Sequence, residues 1–245
     1  MILVIKCVIF DIGDTLINTS EAAEKTARAM PDLKILMSAG YSVNKGLYIK
    51  TRKSLKENYR KLSKKERAKP HIYSYLMLKG MGIKLNRELA EKMDLAFIQE
   101  QKKHQKPAKN TKKIFEYLKS KNILMSSITN AKNDKGIVIL RKFGLTEYFL
   151  EILKSCDFGF EKSELKIFNI LQKKLKQKGH NIHFNEFLMV GNDAKEDAAA
   201  KSLGIKVALL KKNLQEKKAL TNFRPDYLID NLIEIKNIIN NLNDN

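Results

Sequence analysis

Leu3, Val4, Ile5, Cys7, Val8, Ile9 and Phe10 make a run that is apolar on both faces, and it stops abruptly at Asp11-Ile-Gly-Asp-Thr-Leu16. A half-exposed strand alternates apolar and polar residues, whereas a run without alternation suits a central strand of a parallel sheet covered on both sides. The run therefore commits the chain to an α/β architecture. It also puts Asp11 where a strand meets solvent, at the carboxyl edge of the sheet, where open α/β folds place their chemistry. An aspartate there can equally cap the following turn, so its meaning depends on what else reaches that edge.

The remainder of the chain supplies the alternation a parallel sheet needs. Strands are predicted near 3–12, 122–129, 187–192, 206–210 and 227–229, with helices near 111–121, 132–143, 163–178, 195–203 and 231–241. Ile114, Phe115 and Leu118 share one face of the helix from Thr111, as packing on a sheet requires. Between the first strand and residue 105 no strand pattern occurs. Tyr48, Leu55, Tyr59 and Leu62 form one helical stripe, and Leu89, Met93, Ala96 and Phe97 another. The expected organisation is a Rossmann-like parallel-sheet core with helices on both faces, built from 1–17 and 106–245. A smaller all-helical domain, 18–105, is inserted with passages near Thr19 and Lys106-Pro107. At 245 residues the chain is long enough for such a core, as one large domain or two smaller ones.

Three further segments end strands or open helices on polar residues. Asn122-Ile-Leu-Met-Ser-Ser-Ile-Thr129-Asn130 is an apolar strand that closes on Thr-Asn; Lys162 stands a few residues before the Ile167-Phe168 pair of a helix; Phe187-Leu-Met-Val-Gly191-Asn192-Asp193 ends in a polar turn with a second acid at Asp197. Together with Asp11-Ile-Gly-Asp-Thr-Leu16 they resemble, in the same order, the four motifs of the haloacid dehalogenase-like (HAD) hydrolase superfamily. The helical insert after the first motif resembles that family's cap domain, which excludes water and selects substrate. Individually the residues are less telling: Thr129 could merely finish a strand, Lys162 is one of 40 lysines, and Asp193 and Asp197 could serve a helix dipole.

The resemblance implies a phosphatase. Asp11 would attack phosphorus to give an aspartyl-phosphate. Thr129, Asn130 and Lys162 would orient the phosphoryl group and offset its charge, and Asp11, Gly13 (through its carbonyl), Asp193 and Asp197 would hold Mg²⁺. The chain departs from the pattern in two places. The family usually carries a second Asp two residues after the nucleophile, as general acid and base, but here that position is Gly13, with the acid displaced to Asp14 where the family has Gly. Losing such a group costs ~10²–10⁴ in rate. Asn192 likewise replaces an acid that often contacts the metal, which leaves open whether Asn192, Asp193 or Asp197 binds it directly.

Three functions stay open on these residues. The leading one is a Mg²⁺-dependent phosphatase acting on a small phosphorylated metabolite. A metal-free hydrolase of the dehalogenase type also lacks the second Asp, although Asp193 and Asp197 argue against it. The third is a weakened enzyme kept as a binding protein, its helical domain the contact surface. Net charge is +20, and residues 20–110 hold 22 basic against 9 acidic side chains. With 40 Lys to 7 Arg, and aromatics falling on the apolar stripes, a solvated face is favoured over a nucleic-acid site. Cys7 and Cys156 do not read as a disulfide pair, the four histidines lack zinc spacing, and no glycine-rich nucleotide fingerprint occurs. No segment reaches the ~18 apolar residues of a membrane span, and the first apolar run lacks a basic leader. A cytoplasmic protein is expected, of undetermined oligomeric state.

Overall fold

The computed structural model describes residues 4–63, 66, 69–130, 135–212, 214–215, 217–222 and 224–243. They divide into two compact units, Met1–Thr19 with Lys106–Asn245, and Ser20–Gln105.

The first unit is a six-stranded sheet of β1 (Cys7–Phe10), β2 (Leu124–Thr129), β3 (Glu151–Lys154), β4 (Phe187–Gly191), β5 (Lys206–Leu210) and β6 (Tyr227–Ile229). All neighbours pair in parallel, in the order β3-β2-β1-β4-β5-β6. This is a Rossmann-like order, and β1 is a central strand, as its unbroken apolar run predicts. Within β1 the period of two divides the side chains cleanly. Val8 and Phe10 enter the core shared with Ile114, Phe115 and Leu118, while Cys7 and Ile9 enter the core shared with Ile167, Phe168 and Leu171. Helices thus cover both faces. The helices Thr111–Ser120 and Ile235–Asn243 lie on the first face, and Lys166–Gln177 on the second.

Two local expectations change. β3 lies outside the strand ranges expected from the sequence: it has four residues, lies at the sheet edge, and only Leu153 of its four is fully buried. The helix expected over 195–203 is instead a 3-10 turn, Ala198–Leu203, ending at Gly204. The opening residues of the helix expected at 132–143 lie outside the described residues; from Lys135 to Lys142 it is helical.

In the second unit, helices α1 (Thr19–Ala29), α2 (Pro31–Ser38), α3 (Lys45–Arg60), α4 (Ile72–Gly80) and α5 (Arg87–His104) occur among the described residues, α1 beginning at the boundary. Leu33, Leu36, Tyr48, Leu55, Met77, Leu78, Leu89 and Met93 form its own core. Asn44 and Asn86 cap α3 and α5 by accepting backbone N–H bonds at Gly46 and Leu89. Inside lies a polar cluster: the Tyr48 hydroxyl donates to Asp32 (2.5 Å), Arg52 pairs with Asp32, and the Arg52 guanidinium stacks on the Phe97 ring at 4.8 Å. Burial holds the Arg52 pKa down to about 10, with Asp94 opposing that shift.

Where the chain leaves and re-enters the sheet unit, the two passages lie side by side. Asn18 N–H donates to the Lys106 carbonyl (3.2 Å), Lys106 N–H to Asn18 Oδ1 (2.8 Å), and Ala108 N–H to the Leu16 carbonyl (2.8 Å).

Candidate active site

The strand order reverses direction between β1 and β4, the switch point at which open α/β sheets form a crevice beyond their carboxyl ends. Asp11 follows β1 there, and Asn192 and Asp193 follow β4. The Asp11 N–H donates to the Val190 carbonyl (2.9 Å), so the nucleophile candidate is held by the sheet ladder itself.

Asp11, Lys162 and Asp197 are all buried, at 6, 2 and 0% exposure. Lys162 Nζ donates to Asp11 Oδ1 (2.7 Å) and to Asp197 Oδ1 (2.5 Å). Two carboxylates share one ammonium. Burial pushes the Asp11 pKa up to about 6; Lys162 pulls against that shift, while Asp197 adds to it. For Lys162, burial alone would lower the pKa, but the two carboxylates outweigh it and hold it above the usual lysine range. An ammonium buried against an aspartate can meet a transferring anion.

Asp197, an expected metal ligand, is used differently. Its Oδ1 takes Lys162, and its Oδ2 accepts the N–H groups of Asn192 and Asp193, both at 2.9 Å. The carboxylate is spent on the protein. Gly191 permits this, since a Cβ there would lie 2.0 Å from Asp197 Oδ2. Asp193 Oδ1 in turn accepts the N–H groups of Lys195 (2.8 Å) and Glu196 (2.9 Å), and burial moves the Asp193 pKa upward. Among the described residues no group of three or more His, Cys, Asp or Glu side chains is placed to hold a metal ion. The carboxylate cluster expected from Asp11, Asp193 and Asp197 is therefore not assembled.

A smaller oxygen-rich spot is. Thr15 Oγ1 lies 3.3 Å from Asp11 Oδ2 and 3.2 Å from Asn192 Oδ1. A hydroxyl has one proton and can serve only one of these acceptors at a time. A carboxylate oxygen and an amide oxygen beside one hydroxyl fit a hard cation that keeps most of its ligands as water and phosphate.

Thr129 ends β2 and is buried. Asn130, expected to touch phosphate, acts as a brace: its Oδ1 accepts the Lys162 N–H (3.0 Å), and its Nδ2 donates to Glu196 Oε2 (2.9 Å). Thr15, Ser163 and Glu196 were not singled out from the sequence. Thr15 lies inside the first motif and could have been found there, whereas nothing local marks Glu196.

Gly13 is not demanded by the backbone. Its φ is not in the left-handed region, and an added Cβ would meet only Thr19 Oγ1, at 3.6 Å. Asp14 is buried at φ 58°, the conformation that glycine takes most easily, with its N–H on the Ile17 carbonyl (2.7 Å). The turn geometry thus suits an acid followed by a glycine, while the sequence supplies the reverse.

A phosphoglycolate phosphatase of Vibrio parahaemolyticus is 26% identical over 128 residues, 52% of this chain and 54% of that protein, so the match spans about half of that relative. Solved structures share the fold at greater length. The HAD-hydrolase YfnB of Bacillus subtilis, bound to magnesium, has a TM-score of 0.72 at 19% identity, over 97% of this chain and 99% of that one. A 2-haloacid dehalogenase of Pseudomonas syringae has a TM-score of 0.64 at 20% identity, over 97% and 99%. The family model for haloacid dehalogenase-like hydrolases matches residues 8–210, which contain every motif residue described above, and the chain belongs to that family.

Proposed function

We propose that this protein is a phosphatase acting on a small phosphorylated metabolite, with Asp11 as nucleophile. The supporting observation is the buried Asp11–Lys162–Asp197 arrangement at the switch point. An Asp11 carboxylate oxygen attacks phosphorus, the bond from phosphorus to the leaving oxygen breaks, and an aspartyl-phosphate forms; water then hydrolyses it to phosphate and free Asp11. Lys162 is already beside Asp11 and offsets the phosphoryl charge without reorganising, where such preorganised charge is most effective. Thr129, at the end of the neighbouring strand, orients a phosphoryl oxygen, and Asn130 fixes the Lys162 turn.

Mg²⁺ would be held by Asp11, the Gly13 carbonyl and the Asn192–Asp193 turn, and when bound it screens the repulsion between carboxylate and phosphate. Asp197 serves Lys162 rather than the cation. The Ser20–Gln105 unit is read as the cap that selects substrate, and its basic surface suits an anionic one.

With Gly13 in the usual acid position, the departing oxygen receives no ready proton. Substrates with good leaving groups, such as aryl or acyl phosphates, are therefore favoured over alkyl esters.

A second reading is a metal-free hydrolase of the dehalogenase type, favoured by Gly13 and by the commitment of Asp197 to Lys162, which leaves fewer acids for a cation. Phosphate release across a panel of phosphorylated metabolites, with Mg²⁺ and with chelator, separates the two. Mg²⁺-dependent release on any member supports the phosphatase, whereas no release, together with halide release from 2-haloacids in chelator, supports the alternative.

A further inference from the structure

Glu196 has no role in the reading above, yet its carboxylate joins two of the loops at the sheet edge. Oε2 accepts Asn130 Nδ2 (2.9 Å) and the Ser163 N–H (3.0 Å), and Oε1 accepts the Ser163 hydroxyl (3.1 Å). Asn130 Oδ1 accepts the Lys162 N–H (3.0 Å), which closes a ring from Glu196 through Asn130, Lys162 and Ser163 back to Glu196. The Glu196 backbone is itself fixed, because its N–H donates to Asp193 Oδ1. The next residue is Asp197, whose carboxylate holds the other end of Lys162. The loop after β4 therefore grips Lys162 twice, at the ammonium through Asp197 and at the backbone through Glu196.

The ring also fixes the orientation of one amide. Asn130 could present either its oxygen or its nitrogen to the Lys162 N–H, and only the oxygen can accept. A carboxylate on the far side accepts only, so it forces Nδ2 toward itself and Oδ1 toward Lys162. Glutamine in place of Glu196 would offer an NH₂ group where either Asn130 Nδ2 or Ser163 also donates.

We propose that Glu196 is a positioning residue: through Asn130 and Ser163 it sets the Lys162 turn so that the ammonium stays on Asp11. As a contribution to catalysis this rests on the phosphatase reading, but the placement of Lys162 can be measured without it. Outer partners of this kind typically change activity by ~10–100-fold when altered, as does ~1 Å of misplacement.

The test combines kinetics on p-nitrophenyl phosphate with acetic anhydride labelling of the folded protein, read at Lys162 by peptide mass spectrometry. In wild type Lys162 is buried and doubly paired and stays unmodified. Glu196→Gln is expected to lower kcat ~10–100-fold with KM little changed, and to render Lys162 open to acetylation. Glu196→Asp keeps the charge but is one methylene short, and behaves like Gln if reach is what matters. Lys162 still protected in Glu196→Gln overturns the proposal, whether or not kcat falls. Should wild type release no phosphate from any substrate, the phosphatase reading fails while the labelling still decides the placement of Lys162. If Glu196→Gln does not fold, Ser163→Ala removes one of the three bonds to the same carboxylate; partial labelling of Lys162 then supports the ring, and full protection contradicts it.

Discussion

Burial of Asp11, the proposed nucleophile, carries a cost. Its folded pKa, about 6, lies above the ordinary 3.8, so the folded state binds that proton more tightly than the unfolded chain does. A raised carboxyl pKa destabilises as pH increases: the penalty is absent below about pH 4, grows between about 4 and 6, and is complete above. Asp11→Asn removes the buried charge and leaves Lys162 paired with Asp197. In chelator this variant should melt a few degrees above wild type at pH 8 and show no such advantage near pH 4, by calorimetry at both values. It should also lack turnover. A lower melting temperature at pH 8 would mean that the Asp11–Lys162 pair stabilises more than burial costs. Gly13 and Asp14 invite a second test. Gly13→Asp with Asp14→Gly places an acid where a Cβ has room and glycine where φ is positive. The double variant should gain ~10²-fold on alkyl phosphates and flatten the dependence of rate on leaving-group pKa. If wild type already shows a flat dependence, another group delivers the proton, and Asp14→Ala identifies whether it is Asp14.

Elements differ in how plainly the sequence announces them. β1 and β4, and β5 after Lys206, are apolar because helices cover both faces, and such runs stand out from their surroundings, whereas β2 mixes Leu124, Met125 and Ile128 with Ser126 and Ser127. β3, Glu151-Ile-Leu-Lys154, is short, begins and ends on charged residues, and gains its pairing only from β2 across more than twenty residues. Nothing local marks it. The same rule governs the site. In the candidate site, Asp11, Thr129 and Lys162 can be picked out because each follows or ends a strand or precedes a helix within a recurring pattern, and the structure brings Asp11 and Lys162 together. Asp197 was visible, but its use was not: the contacts that occupy both its oxygens depend on the close approach at Gly191 and on Lys162 from a distant loop. Glu196 meets Asn130 across 66 positions, a separation no local pattern encodes. In the helical unit, Asp32 joins α2 to α3 through Tyr48 and Arg52. Asp32→Ala should destabilise by ~3–5 kcal/mol in denaturant unfolding, because a largely buried guanidinium loses its partner. A change under ~1 kcal/mol would mean that Asp94 takes over the pairing.

At the scale of the molecule, fold and family are established, and the proposed activity rests on how charge is arranged at one sheet edge. No helix among the described residues is long and apolar enough to cross a membrane. The chain carries +20 overall, so the anionic substrate proposed here would meet a favourable field on its way to Lys162. Saturating Mg²⁺ should raise the melting temperature of wild type by several degrees, since a ligand at 100-fold its Kd adds ~2.7 kcal/mol, and should do so far less in Asp11→Asn. Equal shifts in both proteins would place the cation elsewhere. The central claim is that Asp11 forms a covalent phosphoryl intermediate. The direct measurement is acid quench of the enzyme during turnover of p-nitrophenyl phosphate with Mg²⁺, followed by peptide mass spectrometry. One phosphoryl group on Asp11, absent in Asp11→Asn, is the predicted result; turnover with no phosphoryl group on the chain, or with one at another residue, would contradict it.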